Sequence, residues 1–245
     1  MKIPRKELLA VLTVAISIEA QAADVVRCLT EPIADVQMSS IVPGTVAAIH
    51  FGEGSFVDKG TVVLEMEARS EQLDIKRRSV LVDNLKATLE RSEMLLEKTS
   101  SISMEEVDET RSEYQISKIE LELAREALEK KLIKAPITGI VTELPIEVGE
   151  FCEPPQILLR IVDTRQFNCV ANIDPALAAS LSMDDPVAFS SERGSEADKV
   201  MGKIVFISPV VDPASGLLRI KAQFTNTDGA VRPGEGGTLQ LFPTE

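Results

Sequence analysis

Residues 44–66 come back 95 positions later as residues 139–161, with no gap. Gly44 falls on Gly139, Val46 on Val141 and Ile49 on Leu144. Gly54 falls on Gly149, Phe56 on Phe151, Asp58 on Glu153, Val63-Leu64 on Leu158-Leu159 and Met66 on Ile161. A repeat constrains a fold strongly, because similar segments form similar supersecondary units. Each copy reads as short strands set off by turns. Val42-Pro43-Gly44-Thr45-Val46 is strand, turn, strand. Gly52-Glu53-Gly54 asks for a bend that glycine permits, and Phe56 to Leu64 is two strands around an Asp58-Lys59-Gly60 turn. One copy cannot bury both of its faces, whereas two can close into a sandwich, each supplying one half.

Between the copies the texture changes. Residues 69–131 hold no Gly and no Pro and are rich in Leu, Glu, Lys, Arg and Ala, the residues that favour helix. Ile75, Val82, Leu89 and Leu96 recur every seventh residue, as do Val107, Tyr114, Leu121 and Leu128. That period marks a coiled-coil seam. Asp74–Arg78 and Glu126–Lys130 are i,i+4 pairs that support exposed helix faces. The pattern breaks at Thr99-Ser100-Ser101-Ile102-Ser103, and Ser103-Met104-Glu105-Glu106 fits a capping box. Two helices are expected, about 70–98 and 104–131, folded into an antiparallel hairpin. Because the hairpin is inserted between the two sandwich halves, it projects as an arm from a small β body.

Residues 166–241 read as a β-barrel or sandwich. Phe167 to Ile173, Gly202 to Ile207 and the alternating Leu217 to Phe224 are strand-like; Asp212-Pro213-Ala214-Ser215-Gly216 and Asn226-Thr227-Asp228-Gly229 are turns. Pro175 to Leu181 reads as a short helix, and Val25 to Glu31 as a strand able to complete the barrel from the N-terminus. Trp is absent and Tyr114 is the one tyrosine, so the core is expected to be aliphatic.

The first residues read as an export signal. Lys2, Arg5 and Lys6 precede Leu8 to Ile18, an apolar run too short to span a bilayer comfortably, and Ala20-Gln21-Ala22 fits a cleavage site. The alternative is an uncleaved anchor. In an oxidising compartment three cysteines allow at most one intramolecular disulfide. Cys28 and Cys169 both fall on expected barrel strands and form the candidate pair, leaving Cys152 free; three buried thiols is the alternative. A net charge of −13 argues against nucleic acid and against anionic lipid. Catalysis finds no constellation: His50 is the sole histidine, no Cys/His cluster suits zinc, and no phosphate-loop motif occurs. No cofactor is expected.

The order of these motifs resembles the membrane fusion proteins, the HlyD-like periplasmic adaptors, above all those of resistance–nodulation–division efflux pumps. Gly44-Thr45-Val46 through Gly60-Thr61-Val62-Val63-Leu64 resembles the first half of the family's split biotinyl/lipoyl-like domain. Lys134-Ala135-Pro136-Ile137-Thr138-Gly139-Ile140-Val141 with Gly149-Glu150-Phe151 resembles the second half. Val210-Val211-Asp212-Pro213-Ala214-Ser215-Gly216 and the stretch from Asn226 to Gly234 resemble its barrel signature.

The resemblance implies a mainly β fold with a long α-helical hairpin. It comprises a split lipoyl-like (barrel-sandwich hybrid) domain at 35–68 and 132–164, the hairpin at 69–131, and a β-barrel of 23–34 with 165–245, after a signal peptide at 1–22. It also implies a non-enzymatic periplasmic subunit that associates with the inner membrane through its transporter. The expected partners are an inner-membrane transporter, an outer-membrane channel and copies of itself, hexameric in the complex, with no nucleic acid. A biotin or lipoyl carrier, and an adaptor for an ATP-driven exporter, are the alternatives. The family's channel-docking pattern at the hairpin tip is R-x3-L-x6-S. Here Arg91, Leu95 and Ser103 follow as R-x3-L-x7-S, and the extra residue leaves Ser103 fitting a helix cap as well. Many members continue into a membrane-proximal domain; this chain ends at Glu245 soon after the barrel strands, so that domain is expected to be absent.

Overall fold

The computed structural model describes residues 24–193, 199–227 and 229–242. The expected signal peptide lies outside them. The described strands are β1 (Val25–Ser39), β2 (Gly44–Ile49), β3 (Phe56–Val57), β4 (Val62–Met66), β5 (Leu132–Lys134), β6 (Gly139–Glu143), β7 (Phe151–Cys152), β8 (Ile157–Ile173), β9 (Pro186–Ser191), β10 (Val200–Val211), β11 (Leu218–Thr225) and β12 (Gly236–Leu241). The helices are α1 (Arg69–Thr99), α2 (Met104–Glu129) and the short α3 (Pro175–Ala178).

The repeat is realised strand for strand. β2, β3 and β4 begin 95 residues before β6, β7 and β8. The copies exchange partners: Gly44 pairs with Cys152 across β2 and β7, and Gly139 with Val57 across β6 and β3. Val46 faces Met66 as Val141 faces Ile161. The equivalence reaches further back than the sequence match, since Met38 of β1 pairs with Leu159 as Ile133 of β5 pairs with Leu64. A four-stranded sheet, β5-β4-β2-β7, thus lies against the half-lengths of β1 and β8 with β6 and β3. Val46, Val57, Val63, Leu64, Val141, Cys152, Leu158 and Leu159 fill the space between. Each such fully buried aliphatic side chain contributes about 1.5–3 kcal/mol.

β1 and β8 are long enough to serve a second core. β1 up to Pro32 and β8 from Arg165 onward belong to a ring of six antiparallel strands, closed by β1 with β12, β12 with β9, β9 with β10, β10 with β11, β11 with β8 and β8 with β1. Closure removes the unpaired edges that invite aggregation. The strand expected at Val25 to Glu31 runs on to Ser39. Pro32 is accommodated at a register shift between Pro32 and Ala34. The polar Asp163–Arg165 stretch of β8 marks the passage between cores, with the Arg165 guanidinium on the Asp163 carboxylate at 2.7 Å.

The expectation of an aliphatic core needs correcting for the ring. Phe167, Phe189 and Phe224 are buried at its centre in mutual contact, with ring centroids 5.2–5.8 Å apart. The walls make room for them with glycine. A Cβ at Gly237 would come within 2.2 Å of the Phe189 ring, and one at Gly202 within 2.5 Å of the Phe224 ring.

α1 leaves the sandwich after β4 and α2 returns to it at β5. At 1.5 Å per residue α1 is about 46 Å long. The two helices run antiparallel: Arg78 near the base of α1 reaches Glu120 (2.7 Å), and Glu93 near its end reaches Arg111 (2.9 Å). Leu89, Val107, Leu121 and Ala124 are buried between them. Among the described residues no helix is long and apolar enough to cross a membrane.

Candidate docking site

The far end of the arm is built by two caps. α1 ends on Ser100, whose left-handed backbone (φ 50°) lets its amide donate to the Leu96 carbonyl at 3.3 Å. α2 starts on Ser103, whose hydroxyl accepts the Glu106 amide at 3.1 Å, so Ser103 is the cap that its spacing allowed. Arg91 and Leu95 stand one turn apart on α1. Arg91 donates to the Thr88 hydroxyl at 3.1 Å. Leu95 is exposed, while its neighbour Leu96 is half-buried on the seam side. Arg91 and Leu95 therefore share one face, and Ser103 belongs to the turn beyond it.

Two exposed methionines enlarge the apolar surface here. Met94 precedes Leu95, and Met104 opens α2. The sequence carried a signal for Met94, since it lies seven residues after Ala87 and fourteen after Val80 on the side away from the seam. Charges surround this patch. Arg111 bridges Glu93 and Asp108 at 2.9 and 2.7 Å.

At the other end the arm is fixed to the sandwich. Lys131 donates to the Pro43 carbonyl at 2.8 Å and faces Glu71 at 3.5 Å. The backbones of Met66 and Lys131 bond at 2.9 Å, and those of Glu67 and Thr45 at 2.8 Å. Gly44 leaves space for this lysine, since a Cβ there would stand 3.0 Å from its Nζ. No lysine is offered on a hairpin turn where the halves meet; the two helices occupy that place.

Cys28 and Cys169 lie side by side in the ring core, on adjacent strands β1 and β8, as buried free thiols. The Cys28 thiol is in hydrogen-bonding contact with Cys169, and burial pushes the Cys169 thiol up. Cys152 is a buried free thiol in the sandwich, also pushed up by burial. His50 sits at the end of β2 against Glu65 at 3.0 Å. Among the described residues no cluster of His, Cys, Asp or Glu could hold a metal ion.

This is a two-helix arm with an apolar tip on a two-part β body. No family model matches the chain. Two curated relatives are named multidrug resistance protein MdtA. The one from Xenorhabdus bovienii is 27% identical over 226 residues, covering 84% of this chain and 55% of the relative. The one from Photorhabdus laumondii is 25% identical, covering 81% and 54%. Among solved structures, a MacA–MexA chimera containing the Pseudomonas aeruginosa MexA α-hairpin domain superposes with a TM-score of 0.79 at 17% identity, over 91% of this chain and 79% of that one. The membrane fusion protein Spr0693 of Streptococcus pneumoniae R6 gives 0.72 at 16%, over 91% and 100%. In fold the chain is similar to these two solved structures. It spans about half the length of the curated relatives it matches. The described part of the chain is mainly β, with curled sheets.

Proposed function

We propose that the chain is a periplasmic adaptor that links an inner-membrane efflux transporter to an outer-membrane channel and performs no catalysis of its own. The observation that carries this reading is the partner exchange between the repeat copies. Gly44–Cys152 and Gly139–Val57 pairing holds both feet of the arm in one sandwich, so that a push or pull at the tip is passed to the body. In domain terms, 35–68 and 132–164 form the split lipoyl-like unit, 69–131 the hairpin, and 23–34 with 165–245 the β-barrel. The tip, with Arg91 and Leu95, meets the channel; Ser103 holds the turn in shape. The body associates with the transporter, of the resistance–nodulation–division type, and copies of the chain assemble around it. The names of the curated relatives, multidrug resistance proteins, support export as the purpose.

A strain lacking the chain is expected to become more susceptible to toxic compounds and to recover on complementation. A pull-down with the tagged chain is expected to bring a transporter and a channel. Unchanged susceptibility together with recovery of neither partner would overturn the reading. A biotin or lipoyl adduct in the intact mass would replace it with the carrier alternative.

A further inference from the structure

A cleft of about 550 Å³ opens where the sandwich meets the ring. Its walls come from three places: β1 at the register shift beside Pro32, the cross-strand pair Ile140 and Val162 of β6 and β8, and the turn from β11 to β12 that carries Val231, Arg232 and Pro233. Those prolines and aliphatic side chains give it an apolar lining. Its size falls within the range of pockets that take drug-sized molecules, about 300–1,000 Å³.

The charges around the cleft do not cancel. Asp35 accepts two bonds from Arg160 at 2.8 and 2.6 Å, and Glu143 accepts a third at 2.7 Å. Glu31 stands 3.5 Å from both Arg219 and Lys221. Three carboxylates are thus answered by three cations. Arg232 also lines the cleft and is exposed, and among the described residues no carboxylate pairs with it. Its guanidinium is the charge left over.

The turn that presents Arg232 is held in place before any ligand arrives. The buried Asn226 amide donates to the Val231 carbonyl at 2.8 Å and to the Thr164 carbonyl at 2.9 Å, and its oxygen accepts the Val231 amide at 3.2 Å. The buried Thr30 hydroxyl accepts the Gly234 amide at 3.1 Å and donates to the Glu235 carbonyl at 2.8 Å. A site fixed in this way loses little freedom when it is filled.

We propose that this cleft binds a free amphipathic acid, a small molecule with an apolar body and one carboxylate or sulfonate. The apolar body lies along Pro32, Ile140 and Val162, and two oxygens of the acid take the Arg232 guanidinium. A cation of the same shape is disfavoured, because it meets Arg232 and finds each carboxylate occupied. The bound acid touches both the sandwich and the ring, so it stabilises the folded chain. The cleft and its surplus charge belong to the chain whatever its partners are.

Calorimetric titration of the purified full chain tests this, with dodecanoate below its micelle concentration and naphthalene-2-sulfonate as a second acid. One saturable site and a raised melting temperature are expected for at least one of the two, and neither for dodecyltrimethylammonium. Arg232→Gln is expected to weaken the acid at least about tenfold and to remove the shift in melting temperature, whereas Arg77→Gln, out on the arm, changes neither. Ile140→Trp fills the cleft and should lose the site with its circular dichroism unchanged; if that variant does not fold, Arg232→Gln decides alone, since its side chain is exposed. Undiminished binding in Arg232→Gln, equal binding of the cation, or no binding of either acid would overturn the proposal. Flotation with phosphatidylglycerol vesicles that Arg232→Gln abolishes would assign the arginine to a lipid surface and overturn it as well.

Discussion

Val46 and Val141 hold the same place in the two halves of the sandwich, and each is bonded into the opposite half. The Val46 amide donates to the Glu150 carbonyl at 2.9 Å, and its carbonyl accepts the Gly149 amide at 2.9 Å. The Val141 amide donates to the Ser55 carbonyl at 3.0 Å, and its carbonyl accepts the Gly54 amide at 2.8 Å. Every one of these bonds crosses from one copy to the other. Both copies must therefore be in place before either is satisfied, and the feet of the arm are locked by the same event.

The equivalent glycines of the two copies are not equally replaceable. A Cβ at Gly139 would lie 2.5 Å from the Val162 carbonyl oxygen, which is backbone, whereas one at Gly44 meets the end of the Lys131 side chain at 3.0 Å, which can give by a few tenths of an ångström. Gly139→Ala is expected to destabilise by about 1–3 kcal/mol and Gly44→Ala by less than about 1 kcal/mol. Urea titration of both checks this; equal losses would mean that β6 can shift away from β8.

The repeat, the arm and the caps were legible because each is a pattern of residue types. The first strand beyond Pro32 was not, since its continuation depends on a register shift that absorbs the proline. Met38–Ser40 and Ile133–Ala135 share a place in the sandwich, but with no residue in common their likeness is plain only from the backbone pairing. The aromatic centre of the ring was hidden because Phe167, Phe189 and Phe224 are far apart in sequence and each looks ordinary. At the tip, Arg91 and Leu95 were legible as i,i+4 neighbours, while Met104, the first residue of α2, stood out only as part of the capping box.

The neighbouring thiols of Cys28 and Cys169 predict a bond once the chain meets an oxidising compartment. Two thiols would give up two protons and two electrons to a protein disulfide, joining β1 to β8 across a long loop, a link worth about 2–4 kcal/mol. Peptide mapping of the protein recovered from an oxidising compartment, under non-reducing conditions, is expected to join Cys28 with Cys169 and to leave Cys152 as a thiol that alkylates only after unfolding. A bridge containing Cys152 would refute the pairing.

Acid should loosen the sandwich through Asp35. Its carboxyl is held below the ordinary value of 3.8, chiefly by the hydrogen bonds from Arg160, at 2.8 and 2.6 Å. A depressed carboxyl stabilises the fold above its unfolded pKa, and that contribution fades as pH falls through the lower folded value. The melting temperature is therefore expected to drop below about pH 4, and Asp35→Asn should flatten that drop while lowering stability at neutral pH. An unchanged acid limb in the variant would place the sensitivity elsewhere, with Asp163 beside Arg165 the next carboxyl to test.

The tip assignment is tested by two leucines six residues apart. Leu89 is buried in the seam, and Leu95 is exposed near the end of α1. A charge at Leu89 has no partner between the helices, so Leu89→Asp is expected to cost at least about 3 kcal/mol and to reduce helix content. Leu95→Asp leaves its carboxylate in water and should keep stability within about 0.5 kcal/mol of the parent. If the tip meets the channel through the Arg91–Leu95 face, Leu95→Asp should nonetheless abolish export, because the charge is then forced into a partner interface. Circular dichroism separates the two effects from the susceptibility assay. Equal loss of helix in both variants would make Leu95 part of the arm's own packing, and a fully folded, fully active Leu95→Asp would move the channel contact to another face of the tip.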